Sequence, residues 1–402
     1  MTASPAERRC PVEDYVYKRP PVPALTLFHD MDERRARSCP GFWSEEGSGY
    51  WVFTDHDVIL DGLQHADLWS SSIITPLDRD PTYQLIPVMT DPPEHAHWRH
   101  LLADWFSPKR VREMRTEQER FAEELIGAVS GKGESDFLRD VAQRFPAGVF
   151  LNIMGMPTEM LDEFLGWEHE ILHVDSASDP DGSRAVAAQT KVVQYFGGLI
   201  AQRRAEPNPD AKDLVSAAVN WQIEGKPVAD ADILNCMLTL FMAGLDTVAS
   251  QLAYSVLHLA THPEDRARLV REPELVPHAV EELMRAYPIL QTARKATRDA
   301  DFHGCDIKAG DVAAFPLPSA GRDDSYYPDA ARVDFDREIV RHLSFGAGPH
   351  RCLGSHLARQ ELAVVLTEWN RQVPEFELAG EPLEHGGSAW GLDSLPLRWH
   401  AR

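Results

Sequence analysis

A cysteine near the C-terminal end of the chain lies in the segment best suited to chemistry. Cys352 is surrounded by Gly346, Gly348 and Gly354, and an apolar segment of helical period, residues 355–373, follows at once. Glycines let a backbone turn back close to whatever the sulfur binds. Amide N–H groups at the start of a helix would stabilise the sulfur as a thiolate, which can act as a nucleophile or as a metal ligand. The alternative is a structural cysteine buried in a glycine-rich turn.

A second candidate lies in the middle of a long apolar segment. Residues 231–261 have helical period, and at about 1.5 Å per residue such a helix would cross the whole molecule. Gly244, Asp246 and Thr247 interrupt its apolar run, which costs stability unless these residues serve a purpose. The pattern favours a functional role, and a buried aspartate paired with a neighbouring arginine or lysine is the alternative.

Two further pairs have spacings that place each pair on one helical face. His95 and Arg99 are four residues apart and follow a Pro-Pro pair that can open a helix. A solvated basic face is the simpler explanation for this pair. Glu282 and Arg285 are three residues apart, which is usual for an exposed salt bridge. The sequence alone leaves these alternatives open.

The composition fits one large globular domain, without a linker, repeat or low-complexity run. The 402 residues include 40 basic and 63 acidic side chains, and the net charge of −23 argues against nucleic-acid and anionic-membrane binding. Five widely spaced cysteines without zinc spacing are typical of a reduced intracellular protein. The N-terminus has no signal-peptide pattern, and the longest apolar run contains Asn235 and Asp246. We therefore expect a cytoplasmic protein without a membrane anchor.

Helical spacing of apolar residues dominates the rest of the chain. Residues 1–40 are rich in proline and predict an irregular segment that wraps the surface. A turn is expected at residues 175–182, and a strand at residues 50–54. Further helices are expected at residues 113–129, 141–154, 160–173 and 185–204.

The loop around Cys352 has the pattern F-G-x-G-x-H-x-C-x-G, for which a chance match is on the order of one in a hundred thousand. This pattern resembles the haem-binding loop of the cytochrome P450 family. The A-G-x-D-T sequence at residues 243–247 resembles the middle of that family's long central helix. The resemblance runs from about Tyr50 to Trp399. It implies a mainly α fold with small β-sheets, a triangular prism whose long central helix crosses the haem, as a single domain over residues 1–402.

The resemblance also implies roles for individual residues. Cys352 corresponds to the cysteine whose thiolate is the axial ligand of the haem iron. Asp246 and Thr247 correspond to a catalytic pair that relays protons. Glu282 and Arg285 correspond to a buried structural pair, which Arg332 would complete. The residues expected to bind the haem are His95, Arg99, Ala243, Gly244, Arg294, Phe345, Gly346, His350, Cys352 and Gly354.

In motif detail the sequence is similar to bacterial camphor-type hydroxylases. Tyr83 corresponds to their substrate-binding tyrosine, whereas Ile74 and Met242 depart from their pattern, so camphor is not identified as the substrate. The resemblance implies a small to medium hydrophobic substrate, terpenoid-like or an intermediate of secondary metabolism. The residues expected to line its pocket are Ile74, Tyr83, Val88, Thr239, Met242, Leu290, Ala389 and Trp390.

The activity implied is monooxygenation, with haem b as cofactor and dioxygen as co-substrate. One alternative is a non-hydroxylating oxidation on the same fold, such as coupling, desaturation or nitration. Peroxide-driven peroxygenation and a non-enzymatic haem sensor are others, and the Asp246–Thr247 pair argues against both.

Electrons are expected from another protein, because the sequence has no G-x-G-x-x-G nucleotide fingerprint between a strand and a helix. The resemblance implies that an iron–sulfur ferredoxin with an NAD(P)H-dependent reductase supplies these electrons. We expect the protein itself to be a monomer. An acidic ferredoxin would be steered by a basic face over the cysteine. The residues that the family fold would bring to this face are Arg99, Lys109, Arg110, Arg112, Arg115, Arg351 and Arg359.

Overall fold

Helices form most of the secondary structure in the computed structural model of this protein. The structure describes residues 10–38, 40–173, 179, 181–208, 210–338 and 340–400. Its α-helices are α1 (Thr26–Arg37), α2 (His56–Gln64), α3 (Glu94–Ala103), α4 (Pro108–Ser130), α5 (Arg144–Met154), α6 (Leu161–Leu172), α7 (Ser183–Ala205), α8 (Leu214–Ala218), α9 (Asp230–Thr261), α10 (Pro263–Arg271), α11 (Val276–Ala286), α12 (Leu317–Gly321) and α13 (Ser355–Gln372).

The strands are short and form small sheets, so the expected mainly α architecture with small β-sheets is confirmed. The strands are β1 (Val12–Glu13), β2 (Val22–Pro23), β3 (Gly41–Ser44), β4 (Tyr50–Phe53), β5 (Trp69–Ser70), β6 (Glu134–Asp136), β7 (Gln222–Ile223), β8 (Lys226–Pro227), β9 (Gln291–Ala296), β10 (Ala300–Phe302), β11 (Cys305–Ile307), β12 (Val312–Pro316), β13 (Glu377–Leu378), β14 (Leu383–His385), β15 (Gly391–Leu392) and β16 (Pro396–Arg398). One sheet has six strands in the order β1-β3-β4-β12-β9-β5. The antiparallel pairing of β9 with β12 sets Arg294 opposite Ala313.

The expected helices are present with small changes at their ends. Residues 113–129, 160–173 and 185–204 fall in α4, α6 and α7. The segment predicted at 141–154 is irregular at first, because a π-helical turn, Leu138–Ala142, precedes α5. Most of the turn predicted at 175–182 lies outside the described residues.

The long helix α9 is the central element of the fold. Its 32 residues correspond to a length of about 48 Å, and α5, α7 and α13 pack against it. Every side chain from Val248 to Leu259 is buried. Among the described residues, α9 has the length and apolar composition of a membrane span, yet half of its most apolar window is buried inside the protein, as in the core helix of a globular domain.

The N-terminal segment is more regular than the sequence predicted. Helix α1 buries Leu27, Phe28 and Met31, whose spacing forms one apolar face. Strand β1 pairs parallel with β3. The expectation of an irregular wrap over residues 1–40 is therefore wrong for these elements, because the helical face is short and is interrupted by charged residues. Residues 1–9 and 39 lie outside the described part of the chain.

A disulfide joins Cys10 to Cys305, contrary to the expectation of reduced cysteines. The two residues are 295 positions apart, a separation at which sequence spacing carries no information about pairing. The bond anchors the start of the described chain to β11. Cys236 and Cys352 are free cysteines.

Glu282 and Arg285 of α11 form a fully buried ion pair, with no exposed side-chain surface on either residue. The Arg285 guanidinium donates to both carboxylate oxygens of Glu282, at 2.7 and 2.8 Å. It also donates to three backbone carbonyl oxygens, those of Gly321, Ala330 and Arg332, at 2.7 to 2.9 Å. Both charges are thus compensated, as a buried pair requires.

The third side chain of this cluster belongs to Arg337 and not to Arg332. The Nε atom of Arg337 donates to Glu282 at 3.2 Å, whereas Arg332 contributes its backbone carbonyl and has an exposed side chain. The prediction for Arg332 is therefore wrong about the side chain. The chain turns outward at this position, which sequence spacing does not reveal.

We expect Arg285→Ala to lower the free energy of unfolding by ~3–5 kcal/mol, because it removes one partner of a buried ion pair. Arg332→Ala is the matched control and should change it by no more than about 0.5 kcal/mol, because only the backbone of Arg332 takes part. Urea unfolding followed by circular dichroism measures both variants. Equal losses in the two variants would contradict the assignment of Arg337 as the third side chain.

Candidate active site

The cysteine loop is a tight turn that only glycine permits at one position. Gly348 has φ +65°, and a Cβ atom there would lie 2.3 Å from the carbonyl oxygen of Leu63, at the end of α2. A 3₁₀ turn over Gly348–His350 follows, and the backbone N–H of Cys352 donates to the carbonyl oxygen of Phe345 at 2.8 Å. Helix α13 begins three residues after the cysteine. The loop is thus closed on itself and packed against α2.

Both flanks of the loop are tied to α11 through Glu281. Before the loop, the His342 ring lies 3.2 Å from the Glu281 carboxylate; after it, Arg359 of α13 donates to the same carboxylate at 2.5 and 2.9 Å. Ser344 adds a hydrogen bond to the carbonyl oxygen of Met284 at 2.7 Å. Burial acts to raise the pKa of Glu281, but His342 and Arg359 outweigh it and lower that pKa to about 2. The carboxylate therefore stays ionised and holds the loop in place.

Cys352 is an exposed residue, although its sulfur is surrounded by protein. Burial raises the pKa of the Cys352 thiol, and the Gly354 N–H and the Arg99 charge offset only part of that rise. An N–H group of the loop thus acts in the expected direction, although burial outweighs it. A raised pKa disfavours a free nucleophile, whereas a metal ion deprotonates a thiol when it binds. Exposure of an enclosed sulfur indicates an internal cavity beside it.

Four basic side chains gather beside this cavity, from three separate segments. His95 and His350 stack with ring centroids 4.0 Å apart. Burial first, and then the neighbouring positive charges, lower the pKa of His350 to about 3. Burial and Arg99 likewise lower the pKa of His95 to about 4. Burial also lowers the pKa of Arg294 to about 10, although the charge of Asp91 acts in the opposite direction.

This cradle of His95, Arg99, Arg294 and His350 lacks a bonded anion. Within the described ranges, neither Arg99 nor Arg294 has a carboxylate within salt-bridge distance, and the buried Nε2 atom of His350 has no hydrogen-bond partner. Buried cations need counter-charges, and two carboxylates would supply them. These residues therefore fit haem, whose propionates they would hold while Cys352 would bind its iron.

The remaining residues predicted for haem binding lie around the same space. Phe345 is held by the Arg359 guanidinium, 4.4 Å from its ring centroid. A Cβ atom at Gly354 would lie 3.9 Å from the Cys352 sulfur, whereas one at Gly346 would meet nothing within 4 Å. The loop therefore leaves open space beside the Cys352 sulfur.

One face of α9 carries the residues predicted to relay protons. Residues at spacings of three and four share this face: Thr239, Met242, Ala243, Asp246 and Thr247. Ala243 is exposed in the middle of a core helix, which again indicates a cavity. The hydroxyl of Thr247 donates to the carbonyl oxygen of Ala243 at 2.9 Å. A Cβ atom at Gly244 would lie 3.4 Å from the Phe150 ring, so this turn of α9 packs closely against α5.

Asp246 is paired with a histidine that the sequence analysis did not single out. The Nε2 atom of His173, at the C-terminal end of α6, lies 3.1 Å from the Asp246 carboxylate and 3.2 Å from that of Glu168. Burial acts to lower the pKa of His173, but the two carboxylates raise it to about 11. Burial acts to raise the pKa of Asp246, yet His173 holds it below its ordinary value. Asp246 thus has a buried ionic partner, as in the alternative explanation, but this partner is an imidazolium and not an arginine or a lysine.

The predicted pocket residues are placed in different environments. Leu290 and Ala389 are brought together by a β-bridge between their segments. Trp390 is 2% exposed and packs on Phe28, with ring centroids 4.9 Å apart, so it lies in the core and not at a cavity. That prediction is corrected because neighbouring residues of an extended segment point to opposite sides.

The other pocket candidates range from buried to exposed in the described structure. Thr239 is buried and donates to the carbonyl oxygen of Asn235 at 2.9 Å. Tyr83 and Val88 are each 41% exposed, and Ile74 and Met242 are half-buried. Burial first, and then the charge of Asp78, raise the pKa of Tyr83.

Comparison with known proteins gives a consistent assignment. The cytochrome P450 family model matches residues 158–372. Nocardicin C N-oxygenase from Nocardia uniformis subsp. tsuyamanensis is 37% identical over 369 residues, covering 88% of this chain and 90% of that protein. Steroid C26-monooxygenase from Mycolicibacterium smegmatis is 31% identical over 360 residues, covering 87% of this chain and 88% of that protein. The crystal structure of CYP101J2 covers 100% of both chains with a TM-score of 0.88 and 28% identity.

The family model covers more than half of the chain, and these relatives are named for oxygenase reactions. The chain belongs to the cytochrome P450 family and is a haem-dependent monooxygenase.

Proposed function

We propose that this enzyme inserts one oxygen atom of dioxygen into a small to medium hydrophobic substrate, terpenoid-like or an intermediate of secondary metabolism. The observation that carries this proposal is the α9 face, where Asp246 and Thr247 lie one turn after the exposed Ala243. A titratable carboxylate and a hydroxyl at this point can hold and deliver protons. Haem b, bound through Cys352, supplies the activation of dioxygen and the oxidation of the substrate.

The chain's own contribution is to hold and transfer protons. Thr247 uses its hydroxyl proton for a bond to the Ala243 carbonyl, so its oxygen lone pairs remain available as acceptors on the cavity side. Asp246 precedes Thr247 in the sequence, and its carboxylate lies on the side away from the cavity, against His173. We infer that protons pass along Asp246 to the neighbourhood of Thr247.

The substrate class is supported by the apolar character of the proposed pocket. Leu290 and Ala389 are held side by side, and Ile74 and Met242 are half-buried and apolar. Small-molecule sites combine such walls with a few polar anchors. Tyr83 is the proposed anchor, through its phenol hydroxyl. The structural similarity to CYP101J2 supports the camphor-type relationship without specifying a substrate.

A non-hydroxylating oxidation is the second candidate function. Nocardicin C N-oxygenase, whose name describes oxygenation at nitrogen, is 37% identical to this chain. A nitrogen-containing substrate would use the same cysteine loop and the same proton path. Peroxygenase activity and haem sensing are less well supported, because neither needs Asp246 and Thr247.

The relay is tested with Thr247→Ala and Asp246→Asn. With a substrate found by its low-spin to high-spin shift, Thr247→Ala should lower product formed per electron and raise hydrogen peroxide, because the hydroxyl proposed to hold protons on the cavity side is lost. Asp246→Asn should slow oxygen consumption, because an amide cannot transfer a proton as a carboxylate does. Product yield, peroxide and oxygen uptake measure these effects.

Ser255→Ala is the matched control for this experiment. Its hydroxyl makes the same type of bond in α9, to the carbonyl oxygen of Gln251 at 2.7 Å, in the buried half of the helix. It should leave coupling unchanged. Wild-type product yield and oxygen uptake in both relay variants would remove Asp246 and Thr247 from the mechanism.

We further propose that an iron–sulfur ferredoxin, with its NAD(P)H-dependent reductase, supplies electrons at a basic face over Cys352. The side-chain amide of Gln360, in α13, donates to the carbonyl oxygen of Val111 at 2.7 Å, so the first turns of α4 lie beside the helix that follows the cysteine. Lys109, Arg112 and Arg351 are exposed. Among the described residues, these three have no carboxylate within salt-bridge distance.

The other basic residues of this face have internal partners. Arg110 donates to the carbonyl oxygen of Lys212 at 2.9 Å, Arg115 pairs with Glu119 at 2.7 Å, and Arg359 is held by Glu281. Arg99 is turned inward, towards the cysteine. The docking charge is therefore assigned to Lys109, Arg112 and Arg351.

Arg112→Glu should slow reduction by ferredoxin while leaving substrate binding unchanged, because it reverses a free charge on the docking face. The wild-type rate should fall steeply with ionic strength, since the screening length decreases from about 30 Å at 0.01 M to about 10 Å at 0.1 M. Stopped-flow reduction measures both effects. Arg120→Glu is the control, because Arg120 lies farther along α4 in an exposed pair with Glu124. A salt-independent rate, or equal slowing by both variants, would place docking elsewhere.

The expectations of a monomer and of a cytoplasmic location remain part of this proposal. The bacterial relatives are of the soluble type, which supports the proposed cytoplasmic location. The Cys10–Cys305 disulfide acts against it, since disulfides are uncommon in reducing compartments.

A further inference from the structure

The geometry points to a binding site for a divalent cation of the zinc type, formed by Glu168, His173 and Asp246 where the end of α6 meets α9. The three side chains each offer one ligand atom, and these atoms lie within 4.8 Å of one another. The site is distinct from the cysteine that binds the haem iron. It shares Asp246 with the proposed proton relay, so its effect on turnover rests on the proposed function, whereas binding of the cation itself does not.

Two of the three distances between ligand atoms are close to those of tetrahedral coordination. Zinc binds imidazole nitrogen at about 2.0–2.1 Å and carboxylate oxygen at about 2.0–2.2 Å, which sets adjacent ligand atoms about 3.3–3.5 Å apart. The Nε2 atom of His173 lies 3.1 Å from the Asp246 oxygen and 3.2 Å from the Glu168 oxygen. A cation would replace the Nε2 proton of His173, which is released to solvent on binding, and these groups would move slightly outward to admit it.

The donor set also suits such a cation. One imidazole nitrogen with two carboxylate oxygens is a mixed set of the kind that zinc accepts, with a fourth position for water. Two negative charges face the same point and would compensate a divalent ion. The side chains are 3%, 15% and 12% exposed for Glu168, His173 and Asp246, so bulk water competes weakly for the ligands.

The surroundings hold the ligands in position. Glu168 and His173 belong to one end of α6, whereas Asp246 is fixed within α9. The ring of His385 lies 5.4 Å from that of His173, centroid to centroid, and is itself held by Asp393 at 2.7 Å. Because His385 already has this partner, the fourth position is assigned to water.

Occupancy would have a direct consequence for the enzyme. A bound cation would use the Asp246 carboxylate as a ligand and fasten the end of α6 to α9. Asp246 could then no longer accept and release protons, so turnover would be inhibited until a chelator removed the ion. The site would therefore couple the concentration of a transition-metal ion to oxygenase activity.

The test is zinc binding to fully haem-loaded protein, which keeps Cys352 occupied. Competition against a chromophoric chelator should give one tight Zn²⁺ per chain, and X-ray absorption at the zinc edge should show nitrogen and oxygen ligands without sulfur. His173→Gln and Glu168→Gln should each weaken binding by at least about tenfold. Both variants keep a polar group in place, and the spectrum of the CO complex checks their folding.

His303→Gln is the matched control. It removes an imidazole that lies 2.9 Å from a single carboxylate, that of Asp61, and it should leave the zinc affinity unchanged. Absence of stoichiometric binding, or binding that both site variants leave unchanged, would overturn the assignment. Because binding is measured without turnover, its failure would leave the proposed oxidation standing, and normal binding with a failed relay experiment would leave the cation site standing.

Discussion

The buried positive charge beside Cys352 is the constraint on which the site depends. His95, Arg99, Arg294 and His350 converge from α3, β9 and the cysteine loop without a carboxylate bonded to them in the described structure. An uncompensated charge in a protein interior costs several kcal/mol. The protein limits this cost by lowering the pKa of both histidines, which stay neutral, but the two guanidinium groups remain cations. Only an anionic ligand compensates them, and the two propionates of haem have that charge.

The cradle works only if the sulfur is held at a fixed position relative to it. Two adjacent carboxylates of α11 provide this rigidity in different directions. Glu282 pairs with Arg285 and fixes the segment before the loop, whereas Glu281 holds His342 and Arg359 on the two flanks of the loop itself. The same helix thus connects the irregular segment, the loop and α13. This arrangement fixes the position of the Cys352 loop relative to the cradle.

The parts that the sequence predicts well are those with local signals. The spacing of glycines around Cys352, the interrupted apolar run of α9 and the His95–Arg99 spacing each lie within a few residues, where backbone geometry determines what can meet. Contacts between distant segments leave no such signal. The Arg359–Glu281 pair spans 78 positions, and the Cys10–Cys305 disulfide spans 295.

His173 shows the same limit within the site. Nothing in its neighbourhood in the sequence distinguishes it from an ordinary histidine at a helix end, and its role follows from the packing of α6 across α9. Arg332 and Trp390 were misplaced for a related reason: the chain direction at an irregular segment decides which side chain points inward. Arg337 occupies the position expected for Arg332, and Ala389, not Trp390, lies beside Leu290.

The central claim is that Cys352 binds the haem iron through its sulfur. The most direct measurement is the absorption spectrum of the ferrous CO complex, taken for the wild type, Cys352→Ser and Cys236→Ser. Cys236 is the matched control because it is a buried free cysteine in α9 whose burial raises its pKa to about 12. The account predicts the strongly red-shifted Soret band of a thiolate complex in the wild type and in Cys236→Ser, and its loss in Cys352→Ser. A band at the position typical of histidine-ligated haem, or a red-shifted band that persists in Cys352→Ser, would contradict it.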